Sequence, residues 1–293
     1  MNSDKKRFLL VTRIGRKSLH QRWIGTPETR QFDVFLSAYT PKAETVDQSG
    51  VRNELRPGFK VEGYSGFLNE HRALWKDYDY ICFWDEDLET DTETLNQMFA
   101  ICAAGHFKIA QPALTHDSHF TYAGLLQQRA FRYRHVNYIE MMCPVFRTDT
   151  LPAIEPLYHA GFESGIDLIW CNLLFETTND FAVIDATPVR HTEPVGDCKG
   201  DNGFTEEDSY ESHIYQMLDQ YDLPWLACTP YSGVRKNGQV ISSRIQLFLS
   251  ALNTFGAVAG QRPLWPRVRF VLVHLKHISQ APAQNLKRAP LEC

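Results

Sequence analysis

The chain of 293 residues is 43% apolar and 22% charged, an ordinary globular composition that excludes a disordered or fibrous protein. Its 30 basic and 35 acidic residues give a net charge of −5, which argues against a general nucleic-acid binder. None of its seven cysteines forms a C-x-x-C pair, and no apolar stretch is long enough for a signal sequence or a membrane span. We therefore expect a cytoplasmic protein that folds without disulfides.

Strand-like and helix-like segments alternate along the first two thirds of the chain. Strands are predicted at residues 7–12, 33–39, 78–84, 108–114, 144–147 and 181–185. Helices are predicted at residues 64–76, 90–104, 148–160 and 165–176, the second capped by Thr90. This alternation predicts the α/β class, with a Rossmann-like, mostly parallel central sheet flanked by helices.

The remaining segments differ in their pattern of apolar residues. Residues 116–137 and 192–205 show neither the periodicity of a strand nor that of a helix and are predicted to be long loops. Beyond residue 205, apolar residues recur at helical spacing in two segments, around 245–255 and 268–278. We therefore expect an α/β domain over residues 1–204 and a helical C-terminal extension over residues 205–293 with a frayed end.

The sharpest motif is W-D-E-D at residues 84–87, directly after the most strongly β-forming segment. Ligands of open α/β sheets bind beyond the carboxyl ends of the strands, which is where these acids fall. The D-x-D spacing lets Asp85 and Asp87 converge on one divalent cation such as Mg²⁺ or Mn²⁺, which takes carboxylates together with phosphate oxygens. The alternative is a solvated acidic turn that leads into a helix.

Other polar residues allow both a functional and a structural interpretation. Asp167 stands at the start of an apolar helix, as a simple helix-start acid or as a carboxylate base for a hydroxyl proton, and alone it favours the structural role. His191 follows a predicted strand and is a candidate metal ligand, although most histidines in such places bind nothing. His116 and His119 lie in a polar segment that predicts a loop rather than a metal site.

Several common motifs are missing from the sequence. No G-x-G-x-x-G follows the first strand, no G-x-x-x-x-G-K-[ST] occurs, and no G-x-S-x-G elbow is present. These absences disfavour a nicotinamide-dependent enzyme of Rossmann type, a P-loop nucleotidase and an α/β-hydrolase.

Five motifs, in order, are similar to those of one known family, domain-of-unknown-function family 707, whose plant members are often labelled lysine-ketoglutarate reductase trans-splicing related. They are Y-D-Y-I-C-F-W-D-E-D-L at 78–88, Q-P-A-L at 111–114, E-M-M-C-P-V-F at 140–146, G-I-D at 165–167, and V-I-D-A-T-P-V-R-H at 183–191. The resemblance covers roughly residues 7–200 and not the C-terminal extension. Nothing in these residues supports the dehydrogenase-like label.

That family in turn resembles glycosyltransferases of the GT-A fold, and the resemblance implies a role for particular residues. Asp85, Asp87 and His191 would hold Mn²⁺ or Mg²⁺ on the diphosphate of a nucleotide sugar, and Asp167 would be the base. The residues implied near the nucleotide are Thr12, Arg13 and Trp84, and those implied to contact the sugar or acceptor are Gln111, Glu140 and Glu163.

The implied function is a metal-dependent, inverting transfer of a sugar from a nucleotide-sugar donor to a hydroxyl of a glycan or lipid-linked acceptor. The cation would stabilise the charge of the departing diphosphate while a separate carboxylate deprotonates the attacking hydroxyl. Two alternatives stay open: a nucleotidyltransferase or nucleotide-sugar pyrophosphorylase, and a non-catalytic nucleotide-sugar-binding protein. Nucleic acid is not an expected partner.

The apolar faces of the C-terminal extension allow two hypotheses. Most amphipathic helices bury their apolar stripe inside the protein, so packing on the α/β domain is the default. Basic residues of the same segment, such as Arg267, Arg269 and Lys276, support the other hypothesis, a peripheral contact with the inner face of the membrane.

Overall fold

The computed structural model describes residues 7–194, 210–258, 263–281 and 284–288. Eleven strands in these residues belong to the central sheet: β1 Phe8–Ile14, β2 Asp33–Ala38, β3 Val51–Leu55, β4 Tyr80–Trp84, β5 Leu88–Glu89, β6 Ile109–Leu114, β7 Phe131–Val136, β8 Val145–Arg147, β9 Phe181–His191, β10 Pro230–Arg235 and β11 Val240–Ile241.

Nine α-helices of the described residues connect and flank these strands. They are α1 His20–Trp23, α2 Lys60–Glu70, α3 Arg72–Trp75, α4 Thr92–Gly105, α5 Leu151–His159, α6 Asp167–Leu174, α7 Tyr210–Gln220, α8 Arg244–Ala257 and α9 Leu264–Ser279. The predicted α/β class, a large sheet flanked by helices, is confirmed.

The strand order places the carboxyl ends of six strands at the same edge of the sheet. The order is β11-β10-β7-β9-β6-β8-β4-β1-β2-β3, and β5 pairs separately with β9. Strands β1, β2, β3 and β4 are parallel to one another, and β6 is parallel to β9. Because β8 lies antiparallel between β4 and β6, these six strands all run in one direction. Their carboxyl ends therefore meet at one edge, where a ligand site is expected.

Several element boundaries differ from the predicted ones. The helix predicted at 64–76 begins at Lys60 and is interrupted at His71, which separates α2 from α3. The predicted cap Thr90 is wrong, because the carboxylate of Asp91 accepts the hydrogen bond from the Thr94 backbone N–H at 2.7 Å. The segment 116–137, predicted as a loop, contains β7, which is placed by pairing with strands far along the chain.

The C-terminal extension is helical, as predicted, but it also contributes two strands to the central sheet. Strand β10 pairs antiparallel with β7, and β11 pairs with β10. The extension is therefore joined to the α/β domain through the sheet as well as through helices. The predicted boundary at residues 204 and 205, and most of the loop predicted at 192–205, lie outside the described residues.

A fully buried ion pair fixes β7 to β9 and to the loop between β6 and β7. Arg134 Nε donates to Asp185 Oδ2 at 2.8 Å and Arg134 Nη2 to Oδ1 at 3.0 Å, and both side chains have no exposed surface. The same guanidinium donates to the carbonyls of Gly124 and Leu126 at 2.7 and 3.0 Å. The loop ahead of β7 is thus held to the core by one side chain.

Replacing Arg134 by Met is expected to lower the free energy of unfolding by about 3–5 kcal/mol, because it leaves the Asp185 carboxylate buried without its partner. Urea denaturation measures the change. Arg132→Met is the matched control, since Arg132 lies on the same strand but is exposed, and it should change stability by less than about 0.5 kcal/mol. Equal losses in the two variants would contradict the assigned role of the buried pair.

Candidate active site

The three acidic residues after β4 divide into two groups by the direction of their side chains. Glu86 turns back to the loop after β1, where its carboxylate accepts hydrogen bonds from the Tyr39 hydroxyl at 2.5 Å and from the Gly15 backbone N–H. Asp85 and Asp87 remain partly exposed, with 24% and 23% of their side chains accessible. The alternation that the D-x-D spacing predicts is therefore present, and the middle residue fastens a neighbouring loop.

Asp87 meets His191 because β5 pairs with the end of β9. Leu88 lies opposite His191 in this ladder, so the preceding Asp87 lies next to the imidazole. The Asp87 Oδ2 and His191 Nε2 atoms are 3.0 Å apart. Burial lowers the pKa of His191, but the hydrogen bond to Asp87 and its charge outweigh burial, so the net shift of the pKa is upward.

The second ring nitrogen of His191 has a fixed partner. Nδ1 lies 3.1 Å from the backbone carbonyl of His119. Because a carbonyl oxygen and a carboxylate oxygen both accept, the ring donates from both nitrogens when it is protonated, and Nε2 would offer a lone pair to a cation only after it loses its proton. Such a hydrogen bond through the far nitrogen is typical of histidines that bind metal ions.

Asp85 is held by a residue that the sequence analysis missed. Lys60 is the first residue of α2, and its Nζ lies 2.6 Å from Asp85 Oδ1 and 2.8 Å from Oδ2. Burial lowers the pKa of Lys60, but the charges of Asp85, Asp87 and Asp167 outweigh it and the net shift is upward. Lys60 precedes the predicted helix as an ordinary charged residue, so no local signal could have identified it.

The predicted metal ligands fit a divalent cation in part. Asp87 Oδ2 and the Nε2 lone pair of His191 are adjacent donors of the kind that Mn²⁺ or Mg²⁺ takes. The Asp85 carboxylate is occupied by Lys60 instead. Within the described segments, no three His, Cys, Asp or Glu side chains are grouped as a metal site. Binding of a cation by all three predicted ligands remains a prediction, and it requires Lys60 to share Asp85.

Two buried carboxyl groups lie within electrostatic range of these residues. Asp167 begins α6, and its Oδ2 accepts hydrogen bonds from the Tyr138 hydroxyl at 2.6 Å and the Met141 backbone N–H at 3.2 Å. Burial raises its pKa, opposed by the hydrogen bond from Tyr138. The charge of Asp167 acts on both Lys60 and Glu140, so the predicted base belongs to the same cluster as the acidic pair.

Glu140 is the second buried carboxyl, and Gln111 supports it. The Gln111 side-chain oxygen accepts a hydrogen bond from the Glu140 backbone N–H at 2.6 Å. Burial raises the pKa of Glu140 to about 7, although a hydrogen bond with Thr121 opposes the shift. Its Oε2 atom is buried and has no hydrogen-bond partner among the described residues. Gln111 has no exposed surface, and its contact with a sugar or acceptor stays a prediction.

The structure gives Glu163 a role different from the predicted substrate contact. Its two carboxylate oxygens accept hydrogen bonds from the backbone N–H groups of Val61 and Glu62, at 2.8 and 2.9 Å. These are the first free N–H groups of α2, so Glu163 caps the helix that carries Lys60. Each oxygen of Glu163 thus accepts one backbone hydrogen bond, and its contact with a substrate stays a prediction.

The residues predicted near the nucleotide are mostly enclosed. Thr12 and Trp84 have no exposed surface, and the Trp84 ring packs edge-on against Trp23. Arg13 donates to the Ser37 hydroxyl at 2.9 Å and to the Gly58 carbonyl at 2.8 Å. These three side chains are buried beneath the acidic cluster, and their contact with a nucleotide stays a prediction. Helices cover both faces of the sheet around β1 and β4, so these two strands bury nearly all of their side chains.

A cleft of about 570 Å³ lies at the opposite edge of the sheet. Its lining includes Arg7 before β1, Tyr78 and Asp79 before β4, and Arg147 at the end of the antiparallel β8. The residues of the acidic cluster do not line it. We therefore take the cluster at the carboxyl ends of the strands, and not this cleft, as the candidate active site.

No protein-family model matches the chain, and no curated protein matches it. Membership of the family that the motifs resemble therefore stays a prediction. Solved structures with a similar fold include S. aureus TarS 1–349, with 10% identity, 94% of this chain and 73% of that chain covered, and a TM-score of 0.44. The same fragment in complex with UDP-GlcNAc matches with 10% identity, 94% and 74% coverage and a TM-score of 0.41.

A third structure, A197 from STIV, matches with 13% identity over 81% of this chain and 94% of that chain, with a TM-score of 0.39. Likenesses with TM-scores below 0.5 carry no argument about activity. The function is therefore argued from the side chains of the candidate active site.

Replacing Glu140 by Gln is expected to remove a pH dependence of folding stability. Between about pH 4.3, where an unfolded glutamate titrates, and the folded-state pKa of about 7, only the folded protein holds the proton. The wild type therefore loses stability as the pH rises through this interval, by roughly 3 kcal/mol. Glu140→Gln should be about as stable as wild type at low pH and more stable at about pH 8.

Urea denaturation at a series of pH values measures the difference. The exposed Glu93 at the start of α4 gives the control, Glu93→Gln, because this change removes a carboxyl group that is not buried. A constant difference between Glu140→Gln and wild type across this range would contradict the raised pKa.

Proposed function

We propose that the protein transfers a sugar from a nucleotide-sugar donor to a hydroxyl of a glycan or lipid-linked acceptor, with inversion and with a divalent cation. The observation that carries the proposal is the cluster at the carboxyl ends of the strands. It combines the Asp87–His191 pair with the Lys60–Asp85 pair and adds the buried carboxyl of Asp167. The two pairs would recognise the phosphates of the donor, and Asp167 would accept a proton.

The donor side of the reaction needs positive charge where the diphosphate departs. Asp87 and His191, with Asp85, would hold Mn²⁺ or Mg²⁺, and the cation would stabilise the charge of the leaving diphosphate. Lys60 adds an ammonium at the same place, 2.6 Å from Asp85. An ammonium held by a carboxylate at the amino terminus of a helix is oriented toward an incoming phosphate oxygen with little loss of freedom.

The acceptor side needs a carboxylate that takes the hydroxyl proton as the new bond forms. Asp167 suits this role because the Tyr138 hydroxyl and the Met141 N–H hold its Oδ2 in one orientation. Burial raises its pKa, which brings its basicity closer to that of a general base working near neutral pH. Glu140 would line the acceptor pocket beside it.

A panel of nucleotide sugars tests the proposal with and without Mn²⁺. We expect one donor class to raise the thermal midpoint in the presence of Mn²⁺, because a ligand of the folded state stabilises it by mass action. The same donor should release free nucleoside diphosphate when an acceptor is present. Conversion of donor and pyrophosphate to a nucleoside triphosphate would instead support a pyrophosphorylase, and binding without any product would support a non-catalytic protein.

The Asp87→Ala variant serves as the matched control in this experiment. Asp87 is partly exposed after a strand, so its loss should leave the fold intact while weakening Mn²⁺-dependent donor binding. Calorimetry compares the affinities of the two proteins. Equal Mn²⁺-dependent affinity would reject Asp87 as a metal ligand.

Replacing Asp167 by Asn is expected to reduce transfer by roughly two to four orders of magnitude, the usual contribution of a positioned base. The amide keeps the shape of the side chain but cannot accept the proton. Donor affinity should persist, because Asp167 is outside the pairs that hold the diphosphate. Turnover, donor affinity and thermal midpoint are measured together.

Asp149→Asn is the control for the Asp167 variant. Asp149 is an exposed acid just before α5, far from the cluster, and its replacement should leave turnover unchanged. Near-normal turnover in Asp167→Asn would reject the base assignment and direct the search to Glu140.

A further inference from the structure

The C-terminal part of the chain differs in charge from the protein as a whole. Residues 223–291 contain no Asp or Glu and nine Lys or Arg residues, although the whole protein carries an excess of acids. The nine are Arg235, Lys236, Arg244, Arg262, Arg267, Arg269, Lys276, Lys287 and Arg288. A long cationic segment on an otherwise acidic protein suggests a partner with an anionic surface.

Helix α9 packs into the protein with one face and leaves the other exposed. The buried face consists of Arg267, Val271, His274, Leu275 and Ile278. The exposed face follows the spacing i, i+4, i+7, i+8 and i+11 and consists of Trp265, Arg269, Leu272, Val273 and Lys276. We call this second set the exposed α9 face. Three of its side chains are apolar and two are cationic.

Helices α8 and α9 keep several large apolar side chains exposed. Trp265 has 72% of its surface accessible, and Leu272 has 49%. Helix α8, which packs against α9, likewise exposes Ile245 at 73% and Leu249 at 55%. The tail therefore packs on the domain with one side only. Clustered exposed apolar residues of this kind mark an interaction surface rather than ordinary solvent contact.

The chemistry of the exposed α9 face identifies one class of partner. Tryptophan and leucine insert between lipid headgroups, while arginine and lysine extend to anionic phosphates from the same helix face. At 16 residues, α9 is about 24 Å long and suits an orientation along a surface. Within the described segments, no helix is both long enough and apolar enough to cross a membrane.

We propose that the exposed α9 face docks on the surface of an anionic lipid membrane. The helix would lie parallel to the surface with Trp265, Leu272 and Val273 among the headgroups and acyl ends. Arg269 and Lys276 would contact lipid phosphates. The contact requires only the fold of the C-terminal helices, so it holds whether or not the protein transfers a sugar.

The docked helix is one loop away from the candidate active site. Phe270 of α9 packs edge-on against Phe120, with 5.6 Å between ring centroids, and Arg267 donates to the His116 carbonyl at 3.0 Å. Three residues along from His116, the His119 carbonyl accepts the hydrogen bond from His191 Nδ1. A membrane contact at α9 would thus bring the cluster near the lipid surface, where a lipid-linked acceptor would be found.

Vesicle flotation with the full chain tests the contact. Vesicles of phosphatidylcholine with phosphatidylglycerol are compared with vesicles of phosphatidylcholine alone. We expect binding to the anionic vesicles that weakens with added salt, because the Lys and Arg contribution is screened. Arg269→Gln with Lys276→Gln should reduce this affinity roughly thirtyfold, at about 1 kcal/mol for each cation. Trp265→Ser should reduce it as well.

Matched control variants carry the same changes at exposed positions elsewhere. Leu55→Ser replaces an apolar residue of β3 that is 58% exposed, and Lys76→Gln removes an exposed cation that follows α3. Both should bind like wild type, and unchanged thermal midpoints would show that all variants fold. Equal binding to the two vesicle types, or no binding to either, overturns the proposal. Self-association in sedimentation that Trp265→Ser abolishes, without vesicle binding, assigns the face to a second copy of this chain.

Discussion

The short antiparallel ladder between β5 and the last two residues of β9 is the contact on which the candidate active site depends. It places Leu88 opposite His191 and so brings Asp87 within 3.0 Å of the imidazole. Thr192 strengthens the ladder, because its backbone N–H and its hydroxyl both donate to the Asp87 carbonyl, 105 positions away in the chain. Without this ladder, Asp87 would not be held beside His191.

Charge balance is the second constraint on the site. Burial raises the pKa values of Asp85, Glu140 and Asp167, which means that each carboxylate is held at a cost in solvation. Lys60 offsets part of this cost for Asp85. The cluster contains more carboxyl groups than the single ammonium of Lys60 can pair with. Glu163 holds Lys60 in place, because it caps the helix that begins with Lys60.

One loop connects the candidate active site with the C-terminal helices. Its start provides the Ser118 hydroxyl and the His119 carbonyl that hold His191, and its end is tied down by Arg134. Between these points Phe120 contacts α9. The sequence of this segment is polar and aperiodic, so it resembles an unstructured connection. Its order comes from contacts with β9 and α9, which lie far away along the chain.

The sequence alone determined the parts of this protein that depend on local pattern. Alternating strand and helix periodicity predicted the α/β class, and the acidic motif after an apolar strand marked the carboxyl edge of the sheet. Asp85, Asp87, Asp167, Glu140 and His191 were identified from motif spacing and resemblance, and the structure brings them into one cluster.

Tertiary structure decided which of these side chains are free to act. A sequence does not show that Lys60 reaches Asp85, that Glu163 caps α2, or that Trp84 is enclosed. Nor does helical periodicity show which apolar residues of the C-terminal extension face the core, since several lie outside it. The physical reason is the same in each case. Pattern reports the local geometry of the backbone, whereas burial and charge pairing depend on which distant segments the fold places beside a residue.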